Sequence, residues 1–489
     1  MSRSWDTVSY KEEEYEEDET SCPLLLSAAL LLGAAPVQAA GALTRGEAAH
    51  EQTPSTAEAK IKALYDCVMD TDGREKAGVA PIQKYLDAIE NAATLNELAA
   101  ADVTMQQELG LSTLLGFGLT TDLADPSRKT TAFSLIGAGM GKDFYANGTD
   151  AQKAAYSTYL TTLLTLSGLS GDEAARRVAL AYVDEYFSAA AKADVEEMIG
   201  EFISIYKERI LAQDWMSAET KAKAIRKLDN MGVKVGYPDS WDTYLDRVEI
   251  QSPEQGGSFF SNVIAIQRAA KAETLAHQTD APDKREWIMT PYTVNACYDP
   301  TANDITFPAA ILQAPLYDVN ASREEDLGGI GYIIAHEITH AFDNNGAKFD
   351  ENGSAADWWT AEDYAAFQQK CQAVADRYDG QGAYPGVACS GVLTVSENVA
   401  DLGSARCIVA AAKKLDDPDF DKLFRAVANT WASTTTRQMR EYLAVTDVHA
   451  PDKLRCNRVL QTLPEFYETY GIQPGDGMWT DPASRVSVW

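Results

Sequence analysis

Histidine, paired cysteine, positive charge and long apolar runs are what this sequence has least of. It holds only five histidines, His50, His277, His336, His340 and His449, and three of them fall in the last third, so imidazole chemistry has few places to be. The seven cysteines form no CxxC pair and their number is odd, which argues against a zinc ribbon and against a complete disulfide framework. Buried thiols are the plain reading, with room for one bridge. Lysine and arginine number 42 against 73 acidic residues, a net charge of −31, and such a chain repels a nucleic-acid backbone. The same acidity serves solubility, and it would favour cationic peptides over anionic ones. Internal repeats are absent, and the run Leu24 to Ala35, followed by Pro36, is too short for a stable transmembrane span.

What is there begins with an ordinary globular composition: 45% hydrophobic and 24% charged over 489 residues, enough for two or three domains around a large core. Residues 1–54 read as an acidic leader, a signal-like apolar segment and a linker. Leu24 to Ala35 has the length of a signal core, and Pro36-Val37-Gln38-Ala39-Ala40 offers a small-residue cleavage site. Its flank is wrong for a signal, since Glu12, Glu13, Glu14, Glu16, Glu17, Asp18 and Glu19 stand where basic residues belong. The expectation is export to the cell surface or beyond, or a cytoplasmic protein if that segment is not functional. Residues 55–290 read as a helical lobe, with apolar residues at helical spacing in Ile61, Leu64, Tyr65 and Val68 and again in Val195, Met198, Ile199, Phe202 and Tyr206. Ser217 is an N-cap candidate for a helix over Ala218 to Met231, with Gly232 as its stop.

From 291 onward the chain carries chemistry. His336-Glu337-Ile338-Thr339-His340 places two histidines four apart, on one helical face, with a carboxylate beside the first. That is the HExxH pattern of zinc hydrolases: two neutral nitrogen ligands and a base able to reach a water on the metal. The pattern also arises by chance on surface helices, but the uncharged Tyr332-Ile333-Ile334-Ala335 before it suits a buried helix. Two histidines leave a zinc ion short of one protein ligand. Val395 to Asp401 supplies it: Glu397 as ligand and Asp401, one turn on, to accept a ring N–H from a ligand histidine. Asp343, three past His340, is a second such acceptor, and the spacing leaves open which carboxylate serves which histidine. Upstream, Thr293 to Tyr298 and Asp304 to Pro308 flank a turn and read as a hairpin, by themselves a core element; beside a hydrolase site such an edge can also pair with an extended peptide, Asn295 adding a side-chain amide. Downstream, Asp447-Val448-His449-Ala450-Pro451 and Arg455 would place an oxyanion donor, its orienting carboxylate and a carbonyl-binding cation near the metal.

The runs Val294-Asn295-Ala296-Cys297-Tyr298, Ile305 to Gln313, Gly328 to Gly346 with Asp357-Trp358-Trp359, Ser396-Glu397-Asn398-Val399-Ala400-Asp401 and Asp447 to Arg455 together resemble the neprilysin family of zinc metallopeptidases. Leu64-Tyr65-Asp66-Cys67, Trp215-Met216 with Thr220-Lys221, and Gly236-Tyr237-Pro238 are similar to it as well. The resemblance implies a mainly helical protein with a small β component, two-lobed, with a thermolysin-like gluzincin catalytic domain at 291–489 and a shortened N-terminal lobe. It implies one zinc ion per chain, held by His336, His340 and Glu397, with Glu337 as general base and Asp401, Asp343 and Asp447 as supporting carboxylates. His449 and Arg455 are similar to the transition-state and substrate-carbonyl contacts, and Asn295 and Ala296 to the substrate-binding strand. Ile311, Leu316, Tyr332, Ile333 and Trp431 match the pocket that receives a large apolar side chain, so the implied reaction is cleavage of oligopeptides before such residues.

The chain also departs from that family. A shortfall falls near Gly171 to Arg177, Cys67 and Cys371 lack the partners that bridge similar cysteines, and Asp401-Leu402-Gly403-Ser404 replaces a more glycine-rich turn. The alternative reading is therefore a truncated relic that binds peptide or a protein partner without turnover. The oligomeric state is not legible.

Overall fold

The computed structural model describes residues 56–109, 115–135, 188–239, 247–277 and 279–489. The leader, the signal-like segment and the stretch Gly171 to Arg177 lie outside the described residues. The architecture is mainly helical with small sheets, as expected. Among the described residues four α-helices precede a hairpin; the two used below are α1 (Thr56–Met69) and α2 (Leu95–Leu109), and the hairpin strands are β1 (Leu115–Thr121) and β2 (Lys129–Leu135). The two strands pair antiparallel, with Leu119 opposite Thr131.

Helix α3 (Ala189–Ala212) starts at Ser188, whose side chain accepts from Ala191 N, and α4 (Ala218–Asp229) starts at Ser217, which accepts from Thr220 N. The cap at Ser217 is where the sequence puts it, while the helix ends at Asp229, short of Met231. The stop is Asn230, whose backbone N–H caps the last turn, and Gly232 instead opens strand β3 (Gly232–Gly236). The next helix, α5 (Phe259–Ala276), has a reciprocal cap between Ser258 and Ser261. The expected hairpin forms as β4 (Cys297–Asp299) and β5 (Asp304–Pro308), antiparallel with Cys297 opposite Thr306. Strand β3 adds in parallel on the far side of β5, so the sheet order is β3-β5-β4 and β4 is left as an edge.

Helix α6 (Tyr332–His340) follows a π-helical run, Leu327–Gly331, and α7 (Ala361–Tyr378), α8 (Val395–Ala412), α9 (Phe420–Thr430) and α10 (Asp452–Leu460) enclose it. One large core joins residues from Ala191 to Trp489, including Phe202, Ile205 and Tyr206 of α3, Phe307 of β5, Ile334 and Ile338 of α6 and Val399 and Leu402 of α8. Helices α3 and α4 and strand β3, which precede residue 291, therefore pack with the HExxH helix. Two smaller cores lie on α5: Ala63 and Leu64 meet Val248, Ile250 and Ile266, and Tyr85, Met105 and Leu109 meet Ile264. The six described cysteines are free thiols, most of them buried, so no bridge forms among the described residues.

The contact between α6 and α8 sets the site. Gly403 lies in the interior of α8, where a Cβ would stand 2.6 Å from Thr339 Cγ2, so the two helices approach closely through a glycine. The segment Asp401 to Ser404 is thus helix rather than turn, and Ser404 Oγ donates to the Tyr332 carbonyl. Tyr206 of α3 reaches in to donate to the Ala335 carbonyl at 3.0 Å. Ile334 and Ile338 on the rear of α6 are fully buried, a burial worth about 1.5–3 kcal/mol for each side chain. The face they fix in place is the one that carries the histidines.

Candidate active site

Helix α6 stacks the rings of His336 and His340 edge to face, 4.5 Å apart. Helix α8 brings in Glu397. Its Oε2 lies 3.1 Å from His336 Nε2 and 3.4 Å from His340 Nε2, and the two Nε2 atoms are 3.0 Å apart. Behind the rings stand two acids. His340 Nδ1 lies 2.6 Å from Asp343 Oδ2, and His336 Nδ1 lies 2.8 Å from Asp401 Oδ1 in an ion-pair contact off the line of an ideal hydrogen bond. The ambiguity left by spacing is thus settled: Asp401 serves His336 and Asp343 serves His340.

With their Nδ1 atoms turned to carboxylates, both histidines aim an Nε2 at one point together with a carboxylate oxygen. Three such atoms converging this closely are held together by shared protons, or by a metal cation in their place. Zinc with nitrogen and oxygen ligands at about 2.0–2.1 Å in a tetrahedron spaces its ligand atoms about 3.3 Å apart, and the triangle of 3.0, 3.1 and 3.4 Å matches that spacing. The donor set fits zinc, and among the described residues it is the only such group of three. Electrostatics agree. Burial pushes the Glu397 carboxyl up, but hydrogen bonds from His336, His340 and His449 override it and hold the pKa well below the usual carboxylate range. Burial pulls the His340 imidazole down, and its bonds to Asp343 and Glu397, with the nearby Glu337 charge, override that to raise it well above the ordinary value. The carboxylates that attract a proton here would attract a metal in its place.

The ligands open onto a cavity of about 450 Å³, lined by Asn295 to Tyr298, Ile311, Ile333, Glu337, Asn345, Ser396, Trp431, His449 and Arg455, among others. Glu337 is 6% exposed and faces this space beside the ligands, where a base for an attacking water belongs. His449 is oriented as expected: Asp447 Oδ1 accepts from its Nδ1 at 2.7 Å and from its backbone N–H at 2.9 Å. Its Nε2 is 3.2 Å from Glu397 Oε2, close to where an oxyanion would form. Burial opposes its charge, but Asp447 and Glu397 outweigh burial and bring the pKa to about 9.

Arg455, expected to grip a substrate carbonyl, is itself paired with Asp401. Its Nε and Nη2 hold both oxygens of Asp401 at 2.8 and 2.9 Å, and its guanidinium lies 3.8 Å from the centroid of the Trp431 ring. Burial pushes the Asp401 carboxyl up, but Arg455 and His336 bring it down to about 2. Arg455 therefore supports His336 through Asp401 while its side chain lines the cavity. Of the five residues expected in the apolar pocket, Ile311, Ile333 and Trp431 line the cavity, and Leu316 and Tyr332 do not. Tyr332 is fully buried one turn before His336; its hydroxyl donates to the Asp401 carbonyl and its ring meets the edge of Trp431, so it backs the wall.

Cys297, Asn345 and Ser396 are among the lining residues that carry no role the sequence announces. Burial, with the Glu337 charge, pushes the Cys297 thiol up to about 12 and keeps it neutral. Ser396 precedes a ligand and Asn345 lies two past Asp343, and that adjacency is the one signal in the sequence that points to them.

A helix bearing HExxH, a third carboxylate ligand on a second helix and acids behind both histidines, in a mainly helical two-lobed body, define the gluzincin type of zinc-peptidase architecture. Two profiles described as peptidase family M13 match residues 295–486 and residues 38–181 with 176–238, and the chain belongs to this family, that of the neprilysins. It is 40% identical over 312 residues to the neutral endopeptidase of Lactobacillus helveticus, covering 64% of this chain and 47% of that protein. It is also 40% identical over 312 residues to the neutral endopeptidase of Lactococcus lactis subsp. lactis strain IL1403, covering 64% and 49%. The chain thus spans about half the length of these relatives. In fold it is similar to the zinc metalloprotease Zmp1 of Mycobacterium tuberculosis in complex with inhibitor, with a TM-score of 0.77 at 23% identity, covering 95% of this chain and 92% of the other. PepO from Lactobacillus rhamnosis HN001 is similar too, with a TM-score of 0.75 at 24% identity and coverages of 90% and 92%. No described helix is long and apolar enough to cross a membrane.

Proposed function

We propose that the chain is a zinc-dependent endopeptidase, holding one ion on His336, His340 and Glu397 and hydrolysing oligopeptides on the N-terminal side of large apolar residues. The observation that carries this reading is the 3.0–3.4 Å triangle of donor atoms opening onto the cavity that Glu337 faces. A bound zinc ion supplies a Lewis acid and a water whose pKa falls toward about 7. Glu337 takes the proton of the attacking water and returns it to the leaving amine. His449, held by Asp447, donates to the oxygen that becomes negative as the carbonyl is attacked. The free edge of β4, with Asn295 and Ala296 leading into it, pairs with the extended substrate backbone. Ile311, Ile333 and Trp431 form the apolar side of the cavity, which favours a large apolar side chain next to the cut.

Cleavage of a quenched-fluorescence peptide with a central Phe or Leu, measured together with metal analysis, tests the reading. One equivalent of zinc and turnover that stops with chelator and returns with added zinc are expected. Bound zinc without turnover assigns the chain to the non-hydrolysing alternative, and no bound zinc overturns the reading of the site. Export rests on the Leu24 to Ala39 segment, and N-terminal sequencing of protein recovered from outside the cell tests it.

A further inference from the structure

We infer that Ser396 is a positioning residue for the metal ligands, closing a hydrogen-bonded relay that ties the helix carrying Glu397 to the acid that orients His340. This rests on the zinc reading above. The Asp343 carboxylate receives four bonds. Its Oδ1 accepts from Asn345 N at 2.7 Å and from Gly346 N at 2.6 Å, and its Oδ2 accepts from His340 Nδ1 at 2.6 Å and from the Ser396 hydroxyl. The two amides come from one turn and grip only Oδ1, so without Ser396 the one remaining partner of Oδ2 is the His340 ring that it has to orient. Ser396 holds Oδ2 from the opposite side, because it stands on α8, one residue before Glu397.

The direction of the relay is set as well. Asn345 Nδ2 donates to Ser396 Oγ at 3.2 Å, which leaves the serine proton to go to Asp343. Asn345 and Ser396 both line the cavity wall, so the outer end of the relay meets the space where substrate binds. The path runs from the Asn345 amide through the Ser396 hydroxyl and the Asp343 carboxylate to His340 Nδ1, and it fixes the ring whose Nε2 points at the metal position. Among the described residues, no other side-chain hydrogen bond joins the turn after α6 to the helix that carries the third ligand.

Support of this kind is worth about 10–100-fold in metal affinity when it is removed, and with two amides still on Oδ1 the lower end applies. The test is a zinc competition titration against a chromophoric chelator on the full chain, as wild type, Ser396→Ala and Ser396→Thr, with thermal melts of the metal-free proteins alongside. Ser396→Ala is expected to bind zinc about tenfold more weakly at an unchanged metal-free melting temperature, and Ser396→Thr, which keeps the hydroxyl, to recover most of the affinity. Wild-type affinity in Ser396→Ala overturns the inference and leaves the zinc site standing. A Ser396→Thr protein as weak as Ser396→Ala assigns the loss to packing at the helix start and also overturns it. Wild-type protein that takes up no zinc overturns the site reading first.

Discussion

At the residue scale, the groups proposed to hold the metal are distinct from those proposed to act on the substrate, and mutation should separate them. Glu337 is not one of the three converging donors and faces the cavity, so Glu337→Ala is expected to retain zinc and lose about 10²–10⁴-fold in turnover. His449→Ala is expected to keep its metal and lose about 10²–10³-fold in kcat, because one oxyanion donor is gone. Metal analysis beside kcat checks both, and a variant that cleaves at the wild-type rate removes its residue from the mechanism. Much of this site is legible in the sequence. Spacing of four along a helix is enough to pair His336 with His340 and Glu397 with Asp401, because helical geometry turns sequence distance into a shared face. It is not enough to assign Asp401 to His336 and Asp343 to His340, which depends on the angle at which α6 and α8 cross. The double use of Asp401 by His336 and Arg455 is also hidden from spacing, since those three residues come from three different helices.

At the element scale, the turn after α6 is held from behind by α4, through a buried lysine. Lys227 is 1% exposed and donates to the carbonyls of Gly346 and Phe349, each at 2.7 Å, beneath the rings of Tyr298, Phe342 and Trp358. Gly346 is required there, because a Cβ would stand 1.8 Å from the His340 carbonyl oxygen. Burial lowers the Lys227 pKa to about 7, against the raising influence of Asp343, Asp350 and Glu351. The unfolded chain, with an ordinary lysine, binds more protons than the folded one between pH about 7 and about 10.4, so stability rises with pH across that window. Below pH 7 both states are charged and the full penalty is present. Between pH 7 and 9, wild type should gain about 2 kcal/mol relative to Lys227→Met, measured by denaturant unfolding of the metal-free proteins at each pH. A difference that stays flat with pH means that Lys227 does not titrate in the folded state. The helices around this lysine are readable from apolar spacing and the Ser217 cap. Strand β3 is not, because its five residues, Gly232–Gly236, alternate glycine and valine around one lysine and gain their identity only by pairing with β5. Strands β1 and β2 escape local spacing for the same reason, since pairing is a long-range property that a local pattern does not carry.

At the scale of the whole molecule, packing divides the chain differently from its order. The large core takes residues 191–235 and then 296–489, while the intervening α5 builds two small cores with α1, α2 and their neighbours. Among the described residues the small cores contain Ala63, Leu64, Val248, Ile250 and Ile266 in one and Tyr85, Met105, Leu109 and Ile264 in the other. Among the described residues these small clusters share no buried side chain with the large core, which is extensive and continuous, so the two are separate sources of stability. The two parts are therefore expected to unfold separately, the α5 cores at the lower temperature. All three residues proposed as metal ligands belong to the large part. Zinc at 100 times its dissociation constant stabilises the state that binds it by about 2.7 kcal/mol, and none of that reaches a unit that unfolds on its own. Scanning calorimetry with and without zinc should show two transitions, of which only the upper one moves up with metal and falls back with chelator. A single transition that shifts as a whole would mean that α5 and its partners melt together with the catalytic core, and that the segment between residues 236 and 296 carries structural coupling into the site rather than riding beside it.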